Sequence, residues 1–476
     1  MPPSKPIKFG TDGWRGIIAE DFTFDNVRLC AQAVANYMKQ AALAKKGLVI
    51  GYDTRFASAD FAAACAEVAA ANDIKVYLCS RPTPTPVTSF GVTSKKAGGG
   101  IIITASHNPA KWNGFKFKTE KGASAPTETV AILEKNVASI VRSEEVRRVP
   151  LSEAVSRKLV EMVDLLPDYA LQMEKLVDIK ALRQAKLNVA VDSMHGAGAG
   201  YFKLLLSGDL KLIEIKNKPN PNFPDMLQPE PIASNLGTLS TLVKETKADV
   251  GLASDGDADR IGIIDENGNF LTQLQVFALL ALYLLDVREE RGAIVKALTT
   301  TSMLYKLGQL YNVPVYETAV GFKNIAPVMM EKDALIGGEE SGGYGFRNHI
   351  PERDAFAAGL FFLDFMVKTG KSPSQLLEYL YSKVGKHYYD RLDIEFHPDE
   401  RQKVLGRLAE ANPEFLDGSR VITKDTDDGF RFTMDDDGWL LIRPSGTEPL
   451  LRIYSEQSSF EKVNRLLDLG KKIAGV

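Results

Sequence analysis

The sequence predicts an α/β protein: three similar α/β domains followed by a smaller α+β domain at the C-terminal end. Three observations carry that expectation. The chain has 476 residues, more than one hydrophobic core usually serves, and at roughly 150 residues per domain it should divide into about three units, with two or four also compatible. Apolar, β-rich runs alternate with loops of Gly, Asp or Ser and with helical patterns, as parallel α/β units do. After about residue 385 the pattern changes to alternating strands and amphipathic helices.

In chain order, "LVIGYDTR" (48–55), the helical "DFAAACAEVAAAN", "IKVYLCS" (74–80), a Pro-Thr loop and "GGGIIITASHNP" make up a first unit, expected over 1–160. A charged stretch at 141–185 has few β signals and reads as connecting helix and linker. The second unit, 161–270, contains "KLNVAVDSMHGAGAGYF" (186–202), "LKLIEIKNKPNP" and "ADVGLASDGDADRIGIIDENG" (248–268). The third, 271–384, contains "AIVKALTTTSML", "VPVYETAVGFKNI" and "DALIGGEESGGYG". A long doubly wound sheet would give a similar string. In the last unit, 385–476, "HYYDRLDIEF", a helix near 400–411, the turn "DDDG" and the helix "SFEKVNRLLDLGKKIAG" predict antiparallel hairpins covered by helices on one face.

The 58 basic and 61 acidic residues give a formal charge of −3, with 45% hydrophobic residues. That is an ordinary globular composition, with no basic surplus to suggest nucleic acid. The first residues, MPPSKPIKFG, lack an apolar signal segment, and no run of about 18 apolar residues offers a membrane span. A cytoplasmic protein is expected. Cys30, Cys65 and Cys79 show no metal-ligand spacing and read as reduced, packed thiols.

Chemistry concentrates in a few loops. "TASHNPAKWNGFK" (104–116) puts Ser106 beside His107 in a turn directly after an apolar run; alone, this is as compatible with a capping hydroxyl as with a nucleophile. "SDGDADR" (254–260) alternates Asp255, Asp257 and Asp259 between two apolar runs, which brings carboxylates to one side of an extended loop, as Mg²⁺ requires. Arg260 beside them could fork onto a phosphate. "GGEESGGYG" (337–345) offers Glu339 and Ser341 to sugar hydroxyls, and "RPSGTEP" (443–449) has the composition of a phosphate cradle. In "FGTDGWRG" (9–16), Arg15 could reach an anion. His195 reads mostly as structural, "HGAGAG" does not match a dinucleotide loop, and His349 is a further acid–base candidate.

Taken together and in this order, "GTDGWRG", "TASHNP" with "NGFK", "DGDADR", "GEESGG" and "RPSGTEP" resemble the motif regions of the α-D-phosphohexomutase family, the phosphoglucomutases and phosphomannomutases. The resemblance covers essentially the whole chain and implies four domains lining a central cleft. It implies that Ser106 carries the catalytic phosphate, with His107, Lys116, Arg15 and Arg260 around it, and that Ser106 and the three aspartates hold Mg²⁺. Arg443, Ser445, Gly446 and Thr447 would grip the non-reacting phosphate, and Glu339 and Ser341 the sugar hydroxyls. Lys296, Gly321 and Lys323 resemble substrate-side segments. The implied reaction interconverts glucose 1-phosphate and glucose 6-phosphate, with mannose phosphates as further substrates, through phosphoserine and a 1,6-bisphosphate that is both intermediate and activator.

Two details qualify the match. Ala258 stands where many members have Gly, which is tolerable if the position does not need positive φ. "GEES" resembles the glucose-preferring groups more than "GEMS" or "GEQS". A glucose 1,6-bisphosphate synthase, a phosphoglucosamine mutase and a metal-dependent sugar phosphatase are the alternatives. The expected partners are small sugar phosphates, neither nucleic acid nor membrane, with the chain a monomer or homodimer.

Overall fold

The computed structural model describes residues 6–10, 12–143, 145–444 and 450–476. Its strands, in chain order, form four sheets. β1 (Trp14–Ile17), β2 (Leu48–Tyr52), β3 (Val76–Cys79), β4 (Gly99–Ile103), β5 (Trp112–Thr119) and β6 (Val160–Val163) make the first, in the order β1-β5-β4-β2-β3-β6. β7 (Asn188–Asp192), β8 (Lys211–Ile215), β9 (Val250–Ser254), β10 (Ile261–Ile264) and β11 (Phe270–Leu271) make the second, ordered β11-β10-β9-β7-β8. The third is β13-β12-β14-β15, from β12 (Ile294–Ala297), β13 (Val315–Thr318), β14 (Ile336–Gly338) and β15 (Tyr344–Phe346).

Strands β2, β4 and β9 are buried at every position, as strands covered by helices on both faces must be. Each of these three sheets is mixed rather than purely parallel. β4, β9 and β14 are followed not by helices but by antiparallel partners, β5, β10 and β15. The reason is local: after each loop the chain resumes β-rich sequence, "WNGFKFKT", "IGII" or "YGF". The chemistry-bearing loops at 104–111, 255–260 and 339–343 are therefore hairpin turns at matching places in three domains.

Two expectations need correction here. Val160–Val163 pairs in parallel with β3, so the expected boundary at 160 cuts a strand of the first sheet, and the stretch 141–185 is not simply helix and linker. Burial alternates weakly there, with Val160 and Val163 buried and Glu161 and Met162 exposed, which hid the strand among charged neighbours.

β16 (Tyr388–Glu395), β17 (Phe415–Leu416), β18 (Ser419–Asp425), β19 (Phe430–Met434), β20 (Trp439–Pro444) and β21 (Leu450–Gln457) form an antiparallel sheet, ordered β16-β21-β20-β19-β18-β17. Helices Arg401–Glu410 and Phe460–Ala474 cover one face, with Val404, Leu408, Val463 and Leu466 in its core. On the other face Trp439, Leu441 and Tyr454 pack against Leu298 and Val320 of the third domain. One apolar cluster runs from Ile7 to Val384 through all three α/β domains, whereas the fourth keeps its own. Among the described residues no helix is long and apolar enough to cross a membrane, and all three cysteines are buried free thiols.

Candidate active site

Ser106 ends the buried run of β4 in the left-handed region, at φ +50°. That conformation is unfavourable for a side-chain-bearing residue by about 1–2 kcal/mol, so the surroundings must hold it. The Ser106 N–H donates to Thr104 Oγ1 at 2.8 Å. Arg55 spreads beneath the turn, donating to the carbonyls of Ser106 (2.7 Å), Asn108 (2.6 Å), Pro109 (2.9 Å) and Trp112 (3.0 Å), and is itself anchored by Asp53 at 3.1 Å. The metal-loop candidate lies directly against this turn: a Cβ on Gly256 would come 2.6 Å from the Ser106 carbonyl oxygen. The Ser106 hydroxyl donates to Asp255 Oδ2 at 2.8 Å.

Asp255, Asp257 and Asp259 are fully buried and each offers a carboxylate oxygen within 4.8 Å of the others. Asp257 Oδ1 and Asp259 Oδ1 are buried without a hydrogen-bond donor. Unmatched buried acceptors are costly, about 1–3 kcal/mol each and more when charged. Burial, reinforced by the charges of Asp257 and Asp259, pushes the Asp255 carboxyl well above the usual range. Lys116 and Arg353 lie against Asp257 and Asp259, and Lys116 outweighs burial to hold the Asp257 carboxyl low, but among the described residues Asp255 has no comparable partner. A cluster of oxygen-only donors with one carboxylate left uncompensated suits a hard divalent ion. The cluster fits a metal.

Ala258 sits in this loop at φ +57° and is fully buried. The position does need positive φ, so here alanine adopts a conformation that glycine would take without strain. Its Cβ is packed into the main core cluster.

Lys116, on β5, reaches across with Nζ 2.7 Å from Asp12 Oδ2, 2.9 Å from Asp257 Oδ2 and 3.4 Å from Asp259 Oδ2. Burial favours its neutral form, but the three carboxylates outweigh this and keep it protonated. His107 Nδ1 is 3.4 Å from Ser106 Oγ. Burial first, then the charges of Arg260 and Arg15, push its imidazole well below the ordinary value, so the ring is neutral. Arg15 donates to Asn108 Oδ1, and Arg260 to Glu230 Oε1 at 2.7 Å, while Arg260 Nε makes no hydrogen bond and lies 4.0 Å from Asp259 Oδ1.

Arg15 and His107 of the first domain, Arg260 of the second, and Gly321, Glu339 and Ser341 of the third line one cleft of about 160 Å³. Gly321, at φ +118°, turns the chain into the helix Phe322–Lys332, and half-buried Lys323 lies in that helix's first turn. Arg443 donates through Nε to Asp428 Oδ1 at 2.8 Å, while Asp428 Oδ2 accepts from the Val320 N–H at 2.9 Å, beside Gly321. Ser445, Gly446 and Thr447 lie outside the described residues.

Lys296 is not brought to the cleft. It sits on the inner strand β12, directly opposite Glu317 on β13, and its buried Nζ donates to Glu317 Oε2 at 2.6 Å. Glu317 also accepts from Arg431 of the fourth domain at 2.6 Å. Sheet register places this lysine, expected among the substrate-side residues, in a cross-strand ion pair. His349 is buried, with Nε2 2.7 Å from Asp354 Oδ2, where Asp354 caps the helix Ala355–Thr369. His195 Nδ1 bonds the Lys218 carbonyl.

Three residues of the site carry no local sequence signal. Arg353 donates to Asp12 Oδ2 (2.7 Å) and Glu339 Oε2 (3.2 Å) and lies 2.7 Å from Asp259 Oδ2, tying one residue from each α/β domain to a single guanidinium. In its segment, "RNHIPERD", only the histidine stands out as an acid–base group. Neither Asp12 nor Arg55 stands in a motif that signals its role, because the partners of Asp12 and the four carbonyls that Arg55 binds are distant in sequence.

The chain matches four family domains over successive ranges: phosphoglucomutase/phosphomannomutase alpha/beta/alpha domain I at 6–144, domain II at 167–268, domain III at 273–384 and the C-terminal domain at 405–469. It is 32% identical over 467 residues, covering 98% of both chains, to a protein of Thermococcus kodakarensis named phosphoglucomutase/phosphomannomutase. It is 31% identical over 469 residues to a Methanothermobacter thermautotrophicus protein carrying the name probable phosphoglucosamine mutase, covering 97% and 96% of the two chains. A solved structure from Thermus thermophilus, described as a putative phosphomannomutase, superposes with a TM-score of 0.86 at 34% identity over the whole of both chains. Four consecutive domain matches and full-length relatives lead to one conclusion: this chain belongs to the α-D-phosphohexomutase family of isomerases.

Proposed function

We propose that the protein is a phosphoglucomutase acting between glucose 1-phosphate and glucose 6-phosphate, with mannose phosphates as secondary substrates, Ser106 as the phosphoryl carrier and glucose 1,6-bisphosphate as intermediate and activator. The observation that carries this reading is the Ser106 hydroxyl, 2.8 Å from Asp255 in a carboxylate cluster with two donorless buried oxygens. Mg²⁺ bound by Asp255, Asp257, Asp259 and Ser106 would supply neutralisation of charge on the transferring phosphoryl group.

The chain's own residues do the rest. Lys116, Arg15 and Arg260 surround the serine with positive charge, providing preorganised electrostatic stabilisation. The phosphoryl group passes from Ser106 Oγ to the free sugar hydroxyl; after the bisphosphate turns over in the cleft, the other phosphate returns to Ser106. Ser106 Oγ gains the proton that the sugar hydroxyl gives up in the first transfer, and the return reverses this exchange. Neutral His107 stands beside Ser106 Oγ without adding charge there. Glu339 and Ser341 hold sugar hydroxyls, Gly321 and Lys323 border the substrate, and Arg443 with Ser445, Gly446 and Thr447 grips the distal phosphate, so that binding energy aligns the reacting hydroxyl.

A phosphoglucosamine mutase is the second reading, favoured by the 31% identical relative of that name. A coupled assay on glucose 1-phosphate, mannose 1-phosphate and glucosamine 1-phosphate, with Mg²⁺ and a trace of the matching bisphosphate, separates the two by kcat/KM. In the same assay Ser106→Ala should have no turnover and no phosphate in peptide mapping. An active Ser106→Ala enzyme would reject the phosphoserine route.

A further inference from the structure

Glu339 and Glu340 are neighbours in one tight turn, closed by the Glu339 N–H to the Gly343 carbonyl at 3.0 Å, yet their carboxylates face different domains. Glu339 turns inward to Arg353 at 3.2 Å. Glu340 turns outward to the fourth domain, where its Oε1 accepts from Tyr389 Oη at 2.9 Å and from Arg391 Nη1 at 3.2 Å. Both glutamates border the cleft.

The strand that Glu340 grasps matters. Tyr389 and Arg391 lie on β16, which pairs along its whole length with β21. β21 begins at Leu450, where the "RPSGTEP" connection ends. The Tyr389 ring packs with Trp439 beneath that sheet, 6.2 Å between centroids, so its hydroxyl is carried rigidly. Arg391 keeps a second partner, Asp393, at 2.9 Å, and does not need Glu340 to remain paired. Among the described residues, these two bonds are the polar contacts between the Glu339–Ser341 turn and the fourth domain.

We propose that Glu340 is a positioning residue that fixes the sugar-holding turn against the phosphate-holding domain, and so sets the span over which the bisphosphate intermediate is retained. The inference rests on the mutase reading above. Glu340 lies between two residues that would hold sugar hydroxyls, so its backbone cannot shift without moving both. A side chain clamped to β16 makes that pair move with the fourth domain. Loosening the clamp should leave chemistry at Ser106 intact while the intermediate escapes more often.

The test uses the full-length enzyme with labelled glucose 1-phosphate and measures released glucose 1,6-bisphosphate per turnover, KM and kcat. Glu340→Ala should raise release about tenfold and raise KM, while phosphorylation of Ser106 by saturating bisphosphate stays within about twofold of the parent. Tyr389→Phe, which removes one hydroxyl and keeps the packed ring, should give a smaller shift in the same direction. Glu340→Gln, still able to accept from Tyr389, should fall between parent and Glu340→Ala. The double variant Glu340→Ala with Tyr389→Phe should be no worse than Glu340→Ala alone. Parental release and KM in Glu340→Ala and Tyr389→Phe, or multiplicative effects in the double, would overturn the proposal while leaving the mutase reading untouched. A parent enzyme that converts none of the three sugar phosphates would overturn the mutase reading and this inference with it.

Discussion

Asp255 illustrates how a single residue can be worse for the empty site than for the working one. Its Oδ1 accepts the N–H groups of Asp259 (2.9 Å) and Arg260 (3.1 Å), bonds that the carbonyl of an asparagine would keep. Its charge is what burial and the neighbouring carboxylates oppose. Asp255→Asn should therefore melt at or slightly above the parent in excess chelator. With added Mg²⁺ the parent should gain melting temperature by linkage and the variant should gain little. Turnover should fall by roughly 10²–10³, the size typical of a lost electrostatic group. A variant that melts well below the parent in chelator would instead make Asp255 a structural residue.

At the scale of elements, left-handed backbone occurs both in the loop that carries the proposed phosphoryl carrier and at positions that merely end a helix. Ser106 at φ +50° is over-determined by Arg55 and Thr104. Lys247, also at φ +50°, ends the helix Gly237–Thr246 with an exposed side chain. Glycine is the usual occupant of such a C-terminal cap. Relief of about 1–2 kcal/mol of left-handed strain, less about 0.4–1 kcal/mol of added unfolded-state entropy, leaves Lys247→Gly more stable by roughly 0.5–1 kcal/mol. A urea midpoint that rises with unchanged activity is the expected result; a lower midpoint would show that the lysine contributes more than its backbone costs.

At the scale of the whole molecule, the fourth domain is attached by a few polar contacts and a small apolar patch, and one of those contacts is pH-dependent. Burial pushes the Glu317 carboxyl up, but Lys296 and Arg431 outweigh it and hold it at about 2. A carboxyl depressed on folding adds stability above its unfolded value, near 4.5, and loses it as pH falls towards 2. Lys296 has the opposite sign: burial lowers it to about 8, so its charge opposes folding below that pH, a penalty relieved as pH rises from 8 towards 10.5. Between pH 4.5 and 2 the parent should therefore lose up to about 3 kcal/mol more than Glu317→Gln does. Thermal melts of both proteins across that window check it, and parallel curves would remove Glu317 from the acid response.

Much of the site was legible in the sequence because its signals are local. Asp255, Asp257 and Asp259 alternate in one loop, Ser106 and His107 share one turn, and each follows an apolar run that folds as a buried strand. What only the tertiary structure decided are the partners. Arg353 meets Asp12 from 341 positions away, Lys296 meets Glu317 through strand register, and Glu340 meets Tyr389 from another domain. The φ of Ala258 and the pairing of β6 were also set by neighbours that the chain brings close only on folding. The physical reason is range. Hydrophobic period and turn chemistry act over a few residues and leave a record in the string, whereas a buried charge is satisfied by whichever opposite charge the fold delivers within about 3 Å, and residue order does not record which one that is.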